Sequence, residues 1–167
     1  MAVPSPLGRS VDYFDSVIPS GNAAMLNVLL RLSAVTGETA YRERAEASLE
    51  SWTGLLERAG LEMAWWFDAA VKLVGPYYDV VIAGDPASPE TTALVEAYSR
   101  RLPASAVLSL VPANGPGEEL QGLAPALEGK SAIGGSPTAF VCRFGTCQDP
   151  TGDPAVMTAL LTTGWRQ

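Results

Sequence analysis

The chain has 167 residues, 47% of them hydrophobic and 17% charged, with eleven basic and eighteen acidic side chains and a formal net charge of −7. That composition suits one globular domain, or two small units sharing a core, and a chain of this length buries roughly 70% of its unfolded surface without staples. A net anion with no basic patch excludes nucleic acid as the expected partner, and the absence of histidine excludes Ser-His-Asp and Cys-His catalysis and every histidine-containing metal site.

Residues 1–19 read as a lead-in rich in Pro, Ser and Gly, without the basic start and apolar run of a signal peptide. The most apolar stretch, Ala23 to Val35, is interrupted by Asn27 and Arg31 and is too short to span a bilayer. The expectation is a cytoplasmic protein with no membrane contact, whose Cys142 and Cys147 are mainly reduced.

A helical region is expected over residues 20–76. Ser20 is placed to cap a helix that Gly37 ends. Met25, Val28, Leu29 and Leu32 define one stripe of it, and Leu26 and Leu30 fill much of the rest, so the helix belongs between neighbours rather than on a surface. A second helix from about Thr39 to Ala59 carries Tyr41, Ala45, Leu49, Trp52, Leu56 and Ala59 at spacings of three and four. A third, from Glu62 to about Val74, puts Met63, Trp66, Phe67, Ala70 and Leu73 on one side and an Asp68/Lys72 i,i+4 pair on another. Gly75-Pro76 stops it.

Residues 77–167 follow a different pattern. Asp79 to Gly84 is a short continuous apolar run of the kind found in buried parallel strands. Ser88-Pro89 starts a helix with Leu94, Ala97, Tyr98 and Leu102 on its stripe. Val107 to Val111 reads as a second strand, Leu123 to Leu127 as a helical turn, and Thr138 to Cys142 as a third strand. Asp153-Pro154 starts a last helix to about Thr162. The expected fold is α/β: helical hairpins beside a small three-stranded parallel sheet with flanking helices.

Four groups of residues carry possible chemistry. Cys142 and Cys147 are redox candidates: Gly145 can turn the chain to bring them to disulfide distance, although a buried strand cysteine is commonly an inert small hydrophobe. Two thiols alone do not hold structural zinc, so no metal site is expected, and with no G-x-G-x-x-G or G-x-x-x-x-G-K-[ST] no cofactor is either. Three parallel strands ending at Asp85, Asn114 and Cys142 would place those residues on the rim of one crevice. Asp12, Asp15, Ser20 and Asn22 cluster before the first helix, either as capping groups or, for Asp15, Ser20 and Asn22, as the mouth of a site for acid–base chemistry on sugars. Trp52 and Trp66 fall on apolar stripes, whereas Trp65 lies off its stripe and is the better exposed platform.

Asp15 to Asn22 (DSVIPSGN), Leu29-Leu30-Arg31-Leu32, Thr36-Gly37, Gly75-Pro76, Val80 to Gly84, Leu127 to Lys130 (LEGK), Gly134 to Cys142 (GGSPTAFVC), and Cys147-Gln148 with Pro150 and Asp153 together resemble the C-terminal region of the YyaL / spermatogenesis-associated protein 20 family. The resemblance covers roughly residues 12–162. It implies thioredoxin-domain-containing relatives with an (α/α)-barrel of the six-hairpin glycosidase and epimerase type, of which this chain would be the last hairpins and a small α/β unit. The family pattern has an Asn between the cysteines, where this chain has Arg143-Phe144-Gly145-Thr146.

Two expectations of function result. The first is a structural or interaction module, not catalytic alone, pairing with itself as a homo-oligomer or with a partner chain that carries the missing domains. The second is a piece of an enzyme, acting on a sugar ligand at Asp15, Ser20 and Asn22, or on thiols through Cys142 and Cys147.

Overall fold

The computed structural model describes residues 13–75, 77–101, 105–143 and 146–162; the positions expected of Asp12, Pro76, Leu102 and Gly145 lie outside them. In chain order the elements are α1 (Gly21–Thr36), α2 (Thr39–Ala59), α3 (Ala64–Val74), β1 (Tyr78–Ala83), α4 (Pro89–Arg101), β2 (Ala106–Val111), α5 (Glu118–Leu123), β3 (Thr138–Arg143), β4 (Thr146–Cys147) and α6 (Pro154–Leu160), with short 3-10 segments at Gly60–Met63 and Pro125–Leu127.

The three N-terminal helices enclose one core. Ser20 caps α1 by accepting from the Ala23 N–H at 3.3 Å, and Gly37 closes the helix in the left-handed region at φ 73°. The side of α1 that enters the core is Ala23, Leu26, Leu29 and Leu30. Met25, Val28 and Leu32 face outward instead, because one circumference cannot be covered by two neighbouring helices. From α2, Ala45, Leu49 and Leu56 are buried, with Tyr41, Trp52 and Ala59 packed against them, as the spacing requires. Met63 and Trp66 supply the centre and Phe67 turns away, exposed. Burying Trp66 almost completely contributes on the order of 3 kcal/mol. Its indole N–H also donates to the Tyr13 carbonyl at 3.0 Å and the Ser20 hydroxyl at 3.2 Å, so the ring brings no unpaired donor into the core.

The sheet has strand order β2-β1-β3-β4. β1 and β2 run parallel, joined through α4. β3 is antiparallel to β1, with Asp79 opposite Cys142 and Ala83 opposite Thr138, and β4 is antiparallel to β3. A sheet of three parallel strands is therefore overturned in one pairing. The physical reason lies in residues 112–137. The chain leaves β2 at the end where β1 also finishes, and a parallel return would carry it back along the sheet. The only α-helix in that stretch, α5, has six residues and rises about 9 Å, roughly half the length of a six-residue strand. The chain stays at that end and re-enters the sheet pointing the other way.

Alternation along the strands gives each face its own core. Tyr78, Val80, Ile82, Ala139 and Val141 pack beneath α4 and α6 with Leu94, Met157 and Leu161. Val81, Ala83, Val111, Phe140 and Cys142 pack with Ala124 and Leu127, and with Val35 near the end of α1. This second face looks toward the helical region and places the candidate site.

Candidate functional site

A cavity of about 740 Å³ opens where the end of α1, the start of α2, α3, β1 and the loop before β3 meet. Its walls include Leu30 and Ser33 from α1, Arg42 from α2, Lys72 from α3, Tyr77 and Asp79 at β1, Glu128 and Lys130 from the loop, and Cys142 and Cys147. The volume suits a small-molecule ligand.

The two cysteines form a disulfide across β3 and β4, where the sequence made reduced thiols the default. Their Cα atoms are 3.9 Å apart. The Gln148 N–H donates to the Val141 carbonyl at 3.0 Å, which makes Cys142/Cys147 a non-hydrogen-bonded pair, the type in which opposed residues come closest. The cystine is asymmetric: Cys142 is buried and Cys147 is exposed. Register puts Asp79, Cys142 and Cys147 side by side on one face across β1, β3 and β4.

Lys130 Nζ donates to Cys147 Sγ at 3.1 Å and lies 4.9 Å from the centre of the Phe140 ring. Partial burial lowers its pKa. Asp79 makes no ion pair among the described residues, and burial pushes its carboxyl up to about 6. Tyr77 is pushed up to about 12, first by burial and then by the charge of Asp79. The other cavity cations are engaged. Arg42 pairs with Glu46 at 2.9 Å and donates to the Leu73 carbonyl at 2.7 Å. Lys72 pairs with Asp68, as the i,i+4 spacing predicts, and donates to the Asn27 side chain at 2.8 Å. The arrangement sets a cystine between a cation at its exposed sulfur and a readily protonated carboxyl beside its buried one.

The remaining sequence candidates lie elsewhere. With β3 reversed, Cys142 sits opposite Asp79 near the start of β1, whereas Asp85 and Asn114 follow β1 and β2 at the far end of the sheet; the three-residue rim does not form. Asp85 is exposed and its carboxylate accepts from the Ala87 N–H at 2.9 Å, and Asn114 lies exposed in the turn closed by Gly115 N–H to the Pro112 carbonyl. Both are turn chemistry.

Asp15 is tied into the helical core. One carboxylate oxygen accepts from the Ser20 N–H at 2.9 Å and the other from the Trp65 N–H at 2.8 Å. Ser20 is buried, its hydroxyl engaged by Ala23 and Trp66. Asn22 is half-buried in the first turn of α1. These residues join segment 13–20 to the start of α3. Trp65 is exposed, as its position off the stripe predicts.

Two apolar stripes stay open. On α1 they are Met25, Val28 and Leu32, and on α3 Phe67, Val71 and Val74, each at least 38% exposed. Asp79 and Lys130 were not singled out from sequence. For Asp79 the available signal was a carboxylate opening an otherwise apolar strand; for Lys130 nothing local pointed to Cys147, seventeen residues away.

No family model and no solved structure matches the chain. Spermatogenesis-associated protein 20 of Homo sapiens is 26% identical to it over 153 residues, which is 92% of this chain and 19% of that protein. No helix among the described residues is long and apolar enough to cross a membrane. Along nearly its whole length, then, the chain resembles the YyaL / spermatogenesis-associated protein 20 family, as its terminal motifs imply.

Proposed function

We propose that this chain acts as a structural and interaction module of a longer, carbohydrate-related (α/α)-toroid protein of the thioredoxin-domain-containing type, and is not catalytic alone. The observation that carries this reading is the pair of open stripes, Met25/Val28/Leu32 and Phe67/Val71/Val74. Apolar side chains repeated at i, i+3, i+4 and i+7 on the outside of two adjacent helices are costly to leave in water, and contiguous apolar patches mark sites of association. In an (α/α)-toroid each hairpin packs on its neighbours, so the natural occupant of these stripes is another helical hairpin. It comes from a second copy of the chain or from a polypeptide carrying the remaining toroid and the thioredoxin-like domain, in the cytoplasm. That the chain matches 19% of its relative's length supports this. A sugar in the mouth of such a toroid would meet only the stretch of wall supplied here.

The test is light scattering across a concentration series, with binding of an apolar dye, on the chain and on the double variant Val28→Glu/Val71→Glu. Both positions are exposed, so circular dichroism is expected to be unchanged. The parent chain is expected to associate and bind dye, and the variant to be monomeric and bind little. A monomeric parent indistinguishable from the variant would sink the reading.

A further inference from the structure

We propose that the Cys142–Cys147 cystine is an exchangeable dithiol–disulfide pair, and that the cavity beside it admits a small anionic thiol as its redox partner. This stands on observations separate from the open stripes.

The placement of the bond is the first. It ties β3 to a two-residue exposed edge strand already paired with it. It closes a separation of only five residues, where the constraint on the unfolded chain is small. The second is its asymmetry. Cys147 is open to the cavity mouth and Cys142 is shielded by the sheet face, so an incoming thiolate reaches Cys147 Sγ first. The third is the charge held there. Lys130 Nζ is 3.1 Å from that sulfur, braced over Phe140, and has no carboxylate partner among the described residues. A cation at this distance attracts the attacking thiolate and later stabilises the Cys147 thiolate.

The exchange balances with two equivalents of the small thiol. The first thiolate forms a bond to Cys147 Sγ as the Cys147–Cys142 bond breaks, and the electron pair leaves on Cys142 Sγ. Asp79, opposite Cys142 in register and on the same face, is placed to give that sulfur its proton. The second thiolate attacks the small-molecule sulfur of the mixed disulfide and releases Cys147 as a thiolate beside Lys130. The cystine is reduced to a dithiol and two thiols are oxidised to one small disulfide. In reverse, Asp79 takes the proton from Cys142 as it resolves the adduct. The ionisable groups facing this space are Arg42 from α2, Lys72 from α3, Tyr77 and Asp79 at β1, and Glu128 and Lys130 from the loop. Arg42 and Lys72 are neutralised by Glu46 and Asp68, so the cation an incoming thiol meets at the exposed sulfur is Lys130, which favours an anionic thiol.

The experiment treats the oxidised chain with reduced glutathione, a net anion, or with cysteamine, a cation. Freed cysteines are counted by maleimide mass shift, and each rate is normalised to that thiol's rate with a small exposed disulfide. The expected normalised preference for glutathione is about tenfold, the order that local charge steering provides. Lys130→Met is expected to abolish it and Lys130→Arg to keep it. In Cys142→Ser treated with oxidised glutathione the adduct is expected on Cys147. In Asp79→Asn carrying both cysteines, reduced and then exposed to oxidised glutathione, the same adduct is expected to persist longer than in the parent. A cystine that resists excess glutathione until denatured, or equal normalised rates for the two thiols, would overturn the proposal. Both are read on the parent chain, so a variant that fails to fold does not remove the test. The exchange is expected to survive in Val28→Glu/Val71→Glu, which keeps this proposal distinguishable from the docking reading.

Discussion

Replacing Asp79 with Asn tests the electrostatics of the sheet face directly. In the folded chain this carboxyl is pushed up from 3.8 to about 6 by burial. A carboxyl with a raised native pKa binds its proton more tightly in the folded than in the unfolded chain. Across the window from 3.8 to about 6 the native state therefore carries more protons, stability falls as pH rises, and the full cost is present above that window. Two units correspond to a ceiling of about 3 kcal/mol. Asp79 stays partly open to solvent, and screening brings the expected cost to about 1–2 kcal/mol. Asparagine keeps the shape and removes the charge. The assay is denaturant unfolding of both chains, with the disulfide intact, at several pH values between about 4 and 8. Taking the difference between the two cancels the titration of every other group. The variant is expected to match the parent at the acidic end and to exceed it by about 1–2 kcal/mol at the alkaline end. A difference that does not change with pH, or that grows toward acid, would mean that burial does not raise this carboxyl.

Three further outcomes are expected. Gly84→Ala, with its new methyl overlapping Thr91 Oγ1 and 3.1 Å from Pro137 Cβ, should lower stability by about 1–3 kcal/mol; a neutral result in thermal unfolding would mean that the β1–α4 junction yields freely. Asp15→Ala leaves the Ser20 and Trp65 N–H groups without their acceptor and should cost about 2–3 kcal/mol, with hydrogen exchange quickening at the start of α3. Reducing the cystine should cost about 2 kcal/mol or less for so short a loop and release β4 alone, seen as loss of amide protection at Gln148, whose N–H donates to the Val141 carbonyl, while the β1–β3 register persists.

How much of this was legible in the sequence depended on the range of the signal. The helices were readable because their determinants are local: Ser20, Gly37, Ser88-Pro89 and Asp153-Pro154 act within a turn, and the Tyr41-to-Ala59 spacing repeats for five turns. Which side of α1 faces inward was less legible, since Met25, Val28 and Leu32 are as apolar as Leu26 and Leu30; tertiary neighbours decide it. The direction of β3 is not legible in its own residues because an apolar run looks alike in either orientation; the signal lies in the shortness of α5. The same reversal dissolved the Asp85/Asn114/Cys142 rim and created the Asp79–Cys142–Cys147 row. That row spans 68 positions of chain, from Asp79 to Cys147, and no local motif encodes it. The cystine was within reach of sequence reasoning, since Gly145 permits the turn; its cation was not.

On the proposed reading, α1 and α3 present docking faces. Covalent side-chain footprinting with a small carbene reagent tests it most directly, with the oligomeric state followed in the same samples. Heavy labelling of Met25, Val28, Phe67 and Val71 is expected in dilute monomer, and protection of those same residues as the chain associates. A monomer in which they resist labelling, or an assembly in which they remain fully labelled, would contradict it.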